Sequence, residues 1–179
     1  MCVKQHSLVA IFGFFYKNIT LSVVSKPSPV LGNMVIESSI NPGYWEDGNV
    51  GVISDSIGYG LVQWTPASEL IDFAKQYGLS SDSITVQLMC IMWQCRRQTN
   101  NNWYQSQNKN RSNYYMSFDS FMKTTSTDFE YLARVVQYSY LRGGYGTESL
   151  RAYNANQFYA FFTKGTTPKL KDPKGNIIR

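Results

Sequence analysis

Apolar residues recur at the spacing of a helix through much of the second half of the chain. The pattern is clearest between residues 82 and 97, where positions i, i+4, i+7, i+8 and i+11 are apolar and would share one helical face. The stripe consists of Ile84, Leu88, Ile91, Met92 and Cys95. We therefore predict a helix over about 82–97 that buries this face.

Helix start and stop signals delimit further helices. Thr65 suits an N-cap and Pro66 the first helical position, while Gly78 suits the residue after a helix end. Thr127 and Glu130 form a capping box at the start of another apolar pattern. Together with the apolar spacing, these signals predict helices over about 66–77, 118–123, 127–141 and 147–162.

The stretch before these helices combines one helix with a turn-rich segment. Ser28 is a capping residue type and Pro29 suits the first turn, which predicts a helix from there to near Ile40. Residues 42–60 contain five glycines among Asp, Ser and Asn side chains, which is typical of turns between short strands. The predicted fold class is α+β, mainly α, with a small β-rich lobe.

Length and composition favour one globular domain without a nucleic-acid-binding face. The chain has 179 residues, 43% hydrophobic and 16% charged, which excludes wholesale disorder. The net charge of +5 lies at the ends, because 1–30 and 163–179 are basic whereas 31–162 carries nine basic and eleven acidic residues. The basic ends would either hold the protein against an anionic polymer surface or serve only to keep the ends of the chain soluble.

The cysteine and histidine inventory argues against several kinds of site. His6 is the only histidine and stands near the N-terminus, so neither a Ser-His-Asp nor a Cys-His hydrolase is predicted. The three cysteines include no CxxC pair, so a zinc site is not predicted. Cys90 and Cys95 would lie roughly 140° apart around a helix and cannot bridge each other. They suit a reduced compartment or serve as small apolar core residues.

The two ends of the chain do not match the pattern of a folded module. The longest apolar run, Leu8–Tyr16, has nine residues, whereas a membrane-spanning helix needs ~20. Lys4 before the run and Ser25 after it resemble a weak secretory signal, the alternatives being a buried element or a segment outside the core. We predict an unassigned N-terminal segment over 1–27, one domain over 28–162, and a basic linker or tail over 163–179.

Two short stretches in the first half of the chain carry motif-like residues. The first is Gly32-Asn33-Met34-x-x-Glu37-Ser38-x-Ile40-Asn41-Pro42-Gly43, and the second is Gly58-Tyr59-Gly60-Leu61-Val62-Gln63-Trp64-Thr65-Pro66. In this order, and joined by a turn-rich segment, they resemble the phage tail-tip lysozyme family and more distantly the goose-type lysozymes and soluble lytic transglycosylases. The resemblance covers roughly residues 30–162 and implies a lysozyme-like domain that acts on bacterial peptidoglycan.

The resemblance implies that Glu37 is the catalytic general acid. Cleavage of a glycosidic bond needs a carboxylic acid that protonates the leaving oxygen. The apolar stretch 34–36 before Glu37 and the C-terminal end of a helix both favour the protonated acid. Ser38 would orient Glu37 or cap the helix end, since no base is available to activate it as a nucleophile. The alternative is an ordinary solvated glutamate at a helix end.

The second stretch implies the substrate-binding residues. Gln63 matches the family's glutamine, whose amide would bind the N-acetyl or hydroxyl groups of a sugar. Tyr59 and Trp64 would offer aromatic faces to pyranose rings, although a tryptophan beside a helix start is as often a core residue. Gly58 and Gly60 would let a glycan approach the backbone closely. No cofactor and no metal are implied.

The second carboxylate and the reaction type stay open at this point. Glu46, Asp47 and Asp55 lie between the two stretches, and none falls in a pattern that matches the family. Related enzymes manage with one glutamate when the substrate's own groups take part, so both hydrolysis and lytic transglycosylation are compatible with the sequence.

The N-terminal stretch departs from the family pattern. Residues 26–29, Lys-Pro-Ser-Pro, interrupt a place where the family has a longer helix. The alternative to an enzyme is therefore a catalytically impaired glycan-binding or structural tail protein. The resemblance also implies a location on the virion tail or at the extracellular face of the cell wall, beside other phage-tail or cell-wall modules.

Overall fold

Helices make up most of the residues that the computed structural model describes, which are 27–97, 103–104 and 108–178. One 3-10 turn over Glu46–Gly48 lies between the first two helices, and a π-helical turn over Gln137–Leu141 continues the sixth. The helices are α1 (Pro27–Ser38), α2 (Ser68–Gln76), α3 (Ile84–Arg96), α4 (Lys109–Ser112), α5 (Phe118–Lys123), α6 (Phe129–Val136) and α7 (Glu148–Lys164).

Helix α1 lies at the centre of the fold. Eleven of its twelve residues are buried, Glu37 being the exception. It packs against α7 and α6, which also pack against each other. Gly32 permits the close contact with α7, because a Cβ at this position would lie 2.4 Å from the carbonyl oxygen of Arg151. A helix that is buried around nearly its whole circumference is a core helix, and α1 therefore carries Glu37 at the end of an enclosed element.

The start of α1 differs from the prediction. Ser28 is not the N-cap, because the described helix already includes Pro27, and Ser28 lies buried within it. The prolines at 27 and 29 do not interrupt the described helix. Proline is tolerated in a first helical turn, where the amide groups have no partner inside the helix. The helix ends at Ser38, and Ser39 and Ile40 then adopt positive φ angles of 53° and 57°.

The predicted β-rich lobe is wrong. In the described part of residues 42–66, β-pairing consists of two isolated antiparallel bridges, Trp45 to Tyr59 and Tyr59 to Trp64. Positive φ angles at Asp47 and Gln63, and at three of the glycines, reverse the chain every few residues. Two extended segments therefore never run side by side for long enough to form strands. The mainly helical character of the prediction is confirmed.

The remaining helices follow the predicted order with shifted ends. The helix predicted over 118–123 has those bounds, while the one predicted over 82–97 spans Ile84–Arg96. The N-cap of α2 is Ala67 rather than Thr65. Asp128 rather than Thr127 caps α6, and its carboxylate accepts a hydrogen bond from the amide of Tyr131 at 3.0 Å.

Residues after α7 pack against that helix. Leu170 is only 4% exposed and belongs to the hydrophobic core. Asn154 on α7 exchanges two hydrogen bonds of 2.8 Å with the backbone of Lys171, and Lys171 forms a bridge with Ile177. The segment thus has packed structure, and a role as the connection to a further module stays a prediction. Residues 1–26, with the apolar run Leu8–Tyr16, lie outside the described residues.

Candidate functional site

Glu37 stands at the C-terminal end of α1 with its carboxylate against α7. The side chain is 18% exposed, and Oε1 forms an ion pair of 2.7 Å with Nη1 of Arg151. A charge-assisted contact of this length stabilises the carboxylate and fixes its orientation. No hydrogen bond from a described residue reaches Oε2. The structure therefore anchors Glu37 by one oxygen.

The guanidinium of Arg151 is held on three sides. The arginine is 4% exposed, and its Nη1 also donates to Oδ1 of Asn33 at 2.8 Å. Its Nε donates to the hydroxyl of Thr147 at 2.9 Å. A buried arginine needs such partners because an unpaired buried charge is costly. No sequence motif points to Arg151, because an arginine within a long helix carries no motif of its own.

Ser38 connects the end of α1 to the turn that carries the second sequence stretch. Its hydroxyl lies 3.1 Å from the carbonyl oxygen of Leu61 and 3.3 Å from that of Met34. The residue is 4% exposed. Ser38 thus contacts the end of its own helix and the turn, while its predicted roles toward Glu37 and toward substrate stay predictions.

The turn formed by residues 58–65 is built around two glutamine side chains. Gln63 has a positive φ of 54° and donates from Nε2 to the carbonyl oxygen of Gly60 at 2.8 Å. A Cβ at Gly58 would lie 2.7 Å from the Gln63 side chain, and one at Gly60 would lie 2.8 Å from that of Gln87. The space beside these glycines, which the sequence suggested for a glycan, is therefore occupied by the protein itself.

Gln87 of helix α3 binds this turn through a hydrogen bond, although no sequence motif pointed to this residue. It is fully buried, and its Oε1 accepts a hydrogen bond of 2.7 Å from the amide of Leu61. Its Nε2 donates to the carbonyl oxygens of Pro42 and Ser81 at 2.7 and 2.6 Å. One buried polar side chain thus makes three hydrogen bonds to backbone groups, which is the usual condition for a glutamine in a core.

Tyr59 and Trp64 have their rings in the interior, 4% and 5% exposed. Tyr59 stacks on Trp45 with ring centroids 4.3 Å apart, and burial raises the pKa of its hydroxyl above the ordinary value. The indole N–H of Trp64 donates to Oε1 of Gln94 at 3.0 Å. Both residues therefore stabilise the turn, and stacking of either ring on a sugar stays a prediction.

A cleft of about 190 Å³ opens beside this turn. One wall is Val62–Thr65 and the other is Tyr140–Arg142, with Glu69 and Gln94 between them. Glu37 does not line the cleft, but a chain neighbour of each wall contacts a residue beside Glu37. The first wall continues to Leu61, which Ser38 holds. The second continues to Gly143, where a Cβ would lie 3.5 Å from Nη2 of Arg151.

Gln94 organises the polar residues of the cleft. Its Oε1 accepts hydrogen bonds from Trp64 and from the hydroxyl of Tyr140, the latter at 2.7 Å, and its Nε2 donates to Glu69 at 3.0 Å. Burial raises the pKa of Tyr140 well above the ordinary value, so its hydroxyl stays a donor. The π-helical turn Gln137–Leu141 presents Tyr140 here, and such turns are frequent at functional sites.

The carboxylates considered for a second catalytic role lie apart from the cleft lining. Glu46 accepts a hydrogen bond of 2.8 Å from the amide of Gly58, and Asp47 lies in the 3-10 turn with a positive φ. Asp55 is exposed in the turn-rich segment. Glu69, which the sequence reasoning did not consider, is the carboxylate that lines the cleft in the described part of the chain.

The described residues hold neither a metal-binding cluster nor a membrane-spanning helix. They contain no group of three or more His, Cys, Asp and Glu side chains that could hold a metal ion. None of their helices combines the length and the apolar character of a membrane span. Cys90 and Cys95 are buried free thiols, as predicted.

Comparison with known proteins shows which family and which relatives the chain resembles. The phage tail lysozyme family matches residues 26–162 of the chain. Morphogenesis protein 1 of Bacillus phage B103 is 36% identical over 139 residues. That alignment covers 77% of this chain and 35% of the phage protein, so the chain spans about a third of the length of its curated relative.

Proposed function

Because this chain belongs to the phage tail lysozyme family, we propose that it cleaves the glycan strands of bacterial peptidoglycan with Glu37 as the general acid. The bond in question joins N-acetylmuramic acid to N-acetylglucosamine. The observation that carries the proposal is the placement of Glu37, which Arg151 anchors by one oxygen next to Ser38, the residue that holds Leu61 beside the cleft wall.

The geometry suits proton donation to a leaving oxygen. Arg151 occupies Oε1 of Glu37, so a proton carried on Oε2 would be available to a glycosidic oxygen bound beside it. When the C–O bond breaks, that proton moves to the departing sugar and the carboxylate remains, paired with Arg151. Gln63 lines the adjacent cleft, and its amide would orient an N-acetyl or hydroxyl group of the sugar.

The carboxylates of Glu37 and Glu69 are compatible with two reaction types. Glu69 in the cleft would position a water molecule for hydrolysis. Alternatively, the substrate's own 6-hydroxyl would attack, which is lytic transglycosylation and needs Glu37 alone. The released fragments distinguish the two, since hydrolysis leaves reducing ends and transglycosylation leaves anhydro ends.

The test is a comparison of Glu37→Gln with the parent on purified cell walls. General acid catalysis is worth roughly 10²–10⁴ in rate, so we expect the variant to lose activity by that factor. Turbidity and mass spectrometry of the fragments supply the measurement. Glu130→Gln is the matched control, because Glu130 is an exposed glutamate that pairs with Arg134 on α6. Equal clearing of the cell walls by the parent and by Glu37→Gln would contradict the role of Glu37 as the general acid.

A second candidate is a glycan-binding or structural tail protein without turnover. The ion pair favours it, because one oxygen of Glu37 is already bound by a buried arginine of the protein. The variant Gln63→Ala separates the candidates. In an enzyme it lowers turnover more than affinity, while in a binding protein it lowers affinity alone and the parent releases no fragments between pH 4 and pH 8.

The biological setting follows the family and is proposed on that basis alone. A phage tail lysozyme would open the cell wall for phage entry or remodel it locally, from the virion tail or the outer face of the wall. Other phage-tail or cell-wall modules would act beside it, since the curated relative is about three times as long as the matched part.

A further inference from the structure

We infer that Arg151 is the positioning residue of the site and that Gly32 and Asn33 hold it against Glu37. This inference rests on the proposed function, in which Glu37 acts on the glycan. It gives a physical role to the Gly32-Asn33-x-x-x-Glu37 spacing, of which the proposed function uses only the glutamate.

Gly32 sets the distance between the two helices. A Cβ at this position would lie 2.4 Å from the carbonyl oxygen of Arg151 and 2.7 Å from the amide nitrogen of Ala155. Both neighbours are backbone atoms of α7, which cannot move aside singly. Any larger residue would therefore separate α1 from α7 at the turn that carries Arg151, and the guanidinium would lose its reach to Glu37.

Asn33 sets the orientation of the guanidinium. Its Nδ2 donates to the carbonyl oxygens of Pro29 and Ala133 at 2.8 and 3.1 Å, which fixes the amide plane. Its Oδ1 then accepts from Nη1 of Arg151, the same nitrogen that contacts Glu37. Asn33 is 1% exposed, so water does not compete for these bonds. Asn33 and Glu37 are four residues apart and share one face of α1.

Thr147 completes the restraint at the start of α7. Its hydroxyl accepts from Nε of Arg151 at 2.9 Å, so the planar guanidinium has partners on two different nitrogens. A lysine could not reproduce this arrangement, because its ammonium is a single point on a flexible stem. The consequence for Glu37 is a carboxyl group with one fixed oxygen and a defined position for the proton that leaves.

The test compares Arg151→Lys, Arg151→Ala and Asn33→Ala with the parent on soluble glycan strands. A misplacement near 1 Å can cost about 100-fold in rate, so we expect kcat to fall about 10- to 100-fold while KM stays within about threefold. Guanidinium ion at concentrations below the denaturing range should restore part of kcat in Arg151→Ala, because it fills the vacated site. It should not restore the double variant Arg151→Ala with Glu37→Gln.

Arg134→Gln is the matched control. Arg134 is a partly buried arginine that pairs with Glu130 within α6, and its loss should leave both kcat and KM unchanged. Thermal unfolding of every variant measures the folded fraction and so separates lost positioning from lost folding. Rescue by guanidinium ion is a second check, because it requires a folded domain. A fall in kcat that only matches the unfolded fraction, or an effect on KM alone, would overturn the inference.

One arm of the experiment does not depend on turnover. In the parent, the side-chain N–H signals of Arg151 should show hindered rotation by NMR, and Asn33→Ala should remove this restraint while Glu37 is intact. Free rotation of Arg151 in the folded parent would refute the positioning role. If Glu37→Gln abolishes cleavage but the Arg151 and Asn33 variants keep full kcat, this inference fails and the proposed function stands. If Glu37→Gln clears walls as the parent does, the proposed function fails.

Discussion

Trp64 donates its indole N–H to Oε1 of Gln94 at 3.0 Å, and this bond joins the turn over 58–65 to helix α3. The same oxygen accepts the hydroxyl of Tyr140 at 2.7 Å. Two walls of the cleft, distant in sequence, are thus held by one amide oxygen. A side chain that serves two buried donors is difficult to replace, because both donors lose their partner at once.

The variant Gln94→Leu should therefore lower the stability of the domain. It leaves the Trp64 indole and the Tyr140 hydroxyl without a partner, and each buried orphan costs about 1–3 kcal/mol. We expect the free energy of unfolding to fall by about 2–4 kcal/mol in urea titrations. The control is Gln76→Leu, an exposed position at the end of α2, which should stay within about 0.5 kcal/mol of the parent. Parent-like stability of Gln94→Leu would contradict the shared-acceptor role.

The variant Gly32→Ala should be destabilised by overpacking. Its Cβ would meet backbone atoms of α7 at 2.4 and 2.7 Å, and the helices must separate. Overpacking of this kind costs about 1–3 kcal/mol, occasionally more, which calorimetry would register as a lower Tm. Gly144→Ala is the control, because no atom lies within 4 Å of a Cβ there. A Tm equal in the two variants would show that α1 and α7 are not packed at Gly32 as described.

Stability should fall as the pH rises above 9, in part because of Cys90. Burial and then the nearby Glu69 raise the pKa of its thiol from 9.0 to about 12. The folded state therefore favours the protonated thiol, whose stabilising contribution is complete below pH 9 and is lost as the pH rises toward 12. Between pH 8 and pH 10.5 the loss should reach about 2 kcal/mol, at about 1.4 kcal/mol per pH unit.

Urea unfolding of the parent and of Cys90→Ala at both pH values measures this effect. The difference in stability between the two proteins should shrink at the higher pH, because the variant has no thiol to ionise at that position. Cys95, whose pKa burial also raises, acts in the same direction and is retained in both proteins. A difference that is constant with pH would contradict the assignment.

Leu170 should contribute to the stability of the domain although it lies in the basic C-terminal segment. It is 4% exposed and packed in the core. Truncation of such a leucine costs about 2–4 kcal/mol, so Leu170→Ala should unfold at a lower urea concentration. Ile177→Ala, at a side chain that is 50% exposed, is the matched control and should change little. An equal effect of the two substitutions would indicate that the segment does not use Leu170 as its anchor.

Helices with a strong local signal were predictable from the sequence. The apolar stripe from Ile84 to Cys95 predicted both ends of α3 to within two residues, because the helical spacing of these residues reflects the burial of one helix face. Capping was less predictable. Thr127 and Asp128 are neighbours with similar capping ability, and the structure selects Asp128 through a contact with Tyr131 that the sequence pattern does not encode.

The β-rich lobe and the partners of Glu37 were not predictable for a different reason. Glycine and asparagine signal a turn but do not say whether extended chain separates one turn from the next. Arg151 meets Glu37 across 114 residues of sequence, and no local period links them. The position of Glu37 followed from its motif, whereas its charge partner followed only from the packing of α1 on α7.

Burial of α1 on all sides also bears on how far the cleft can open. The amide hydrogens of a helix enclosed in this way exchange with solvent only when the whole domain unfolds, so α1 and its glutamate form a fixed reference point. The turn over 58–65 is attached to its surroundings by hydrogen bonds with Ser38, Gln87 and Gln94 and by its buried side chains. Displacement of this turn would have to break these bonds and expose Tyr59, Leu61 and Trp64, so we expect the cleft to keep its width while the domain stays folded.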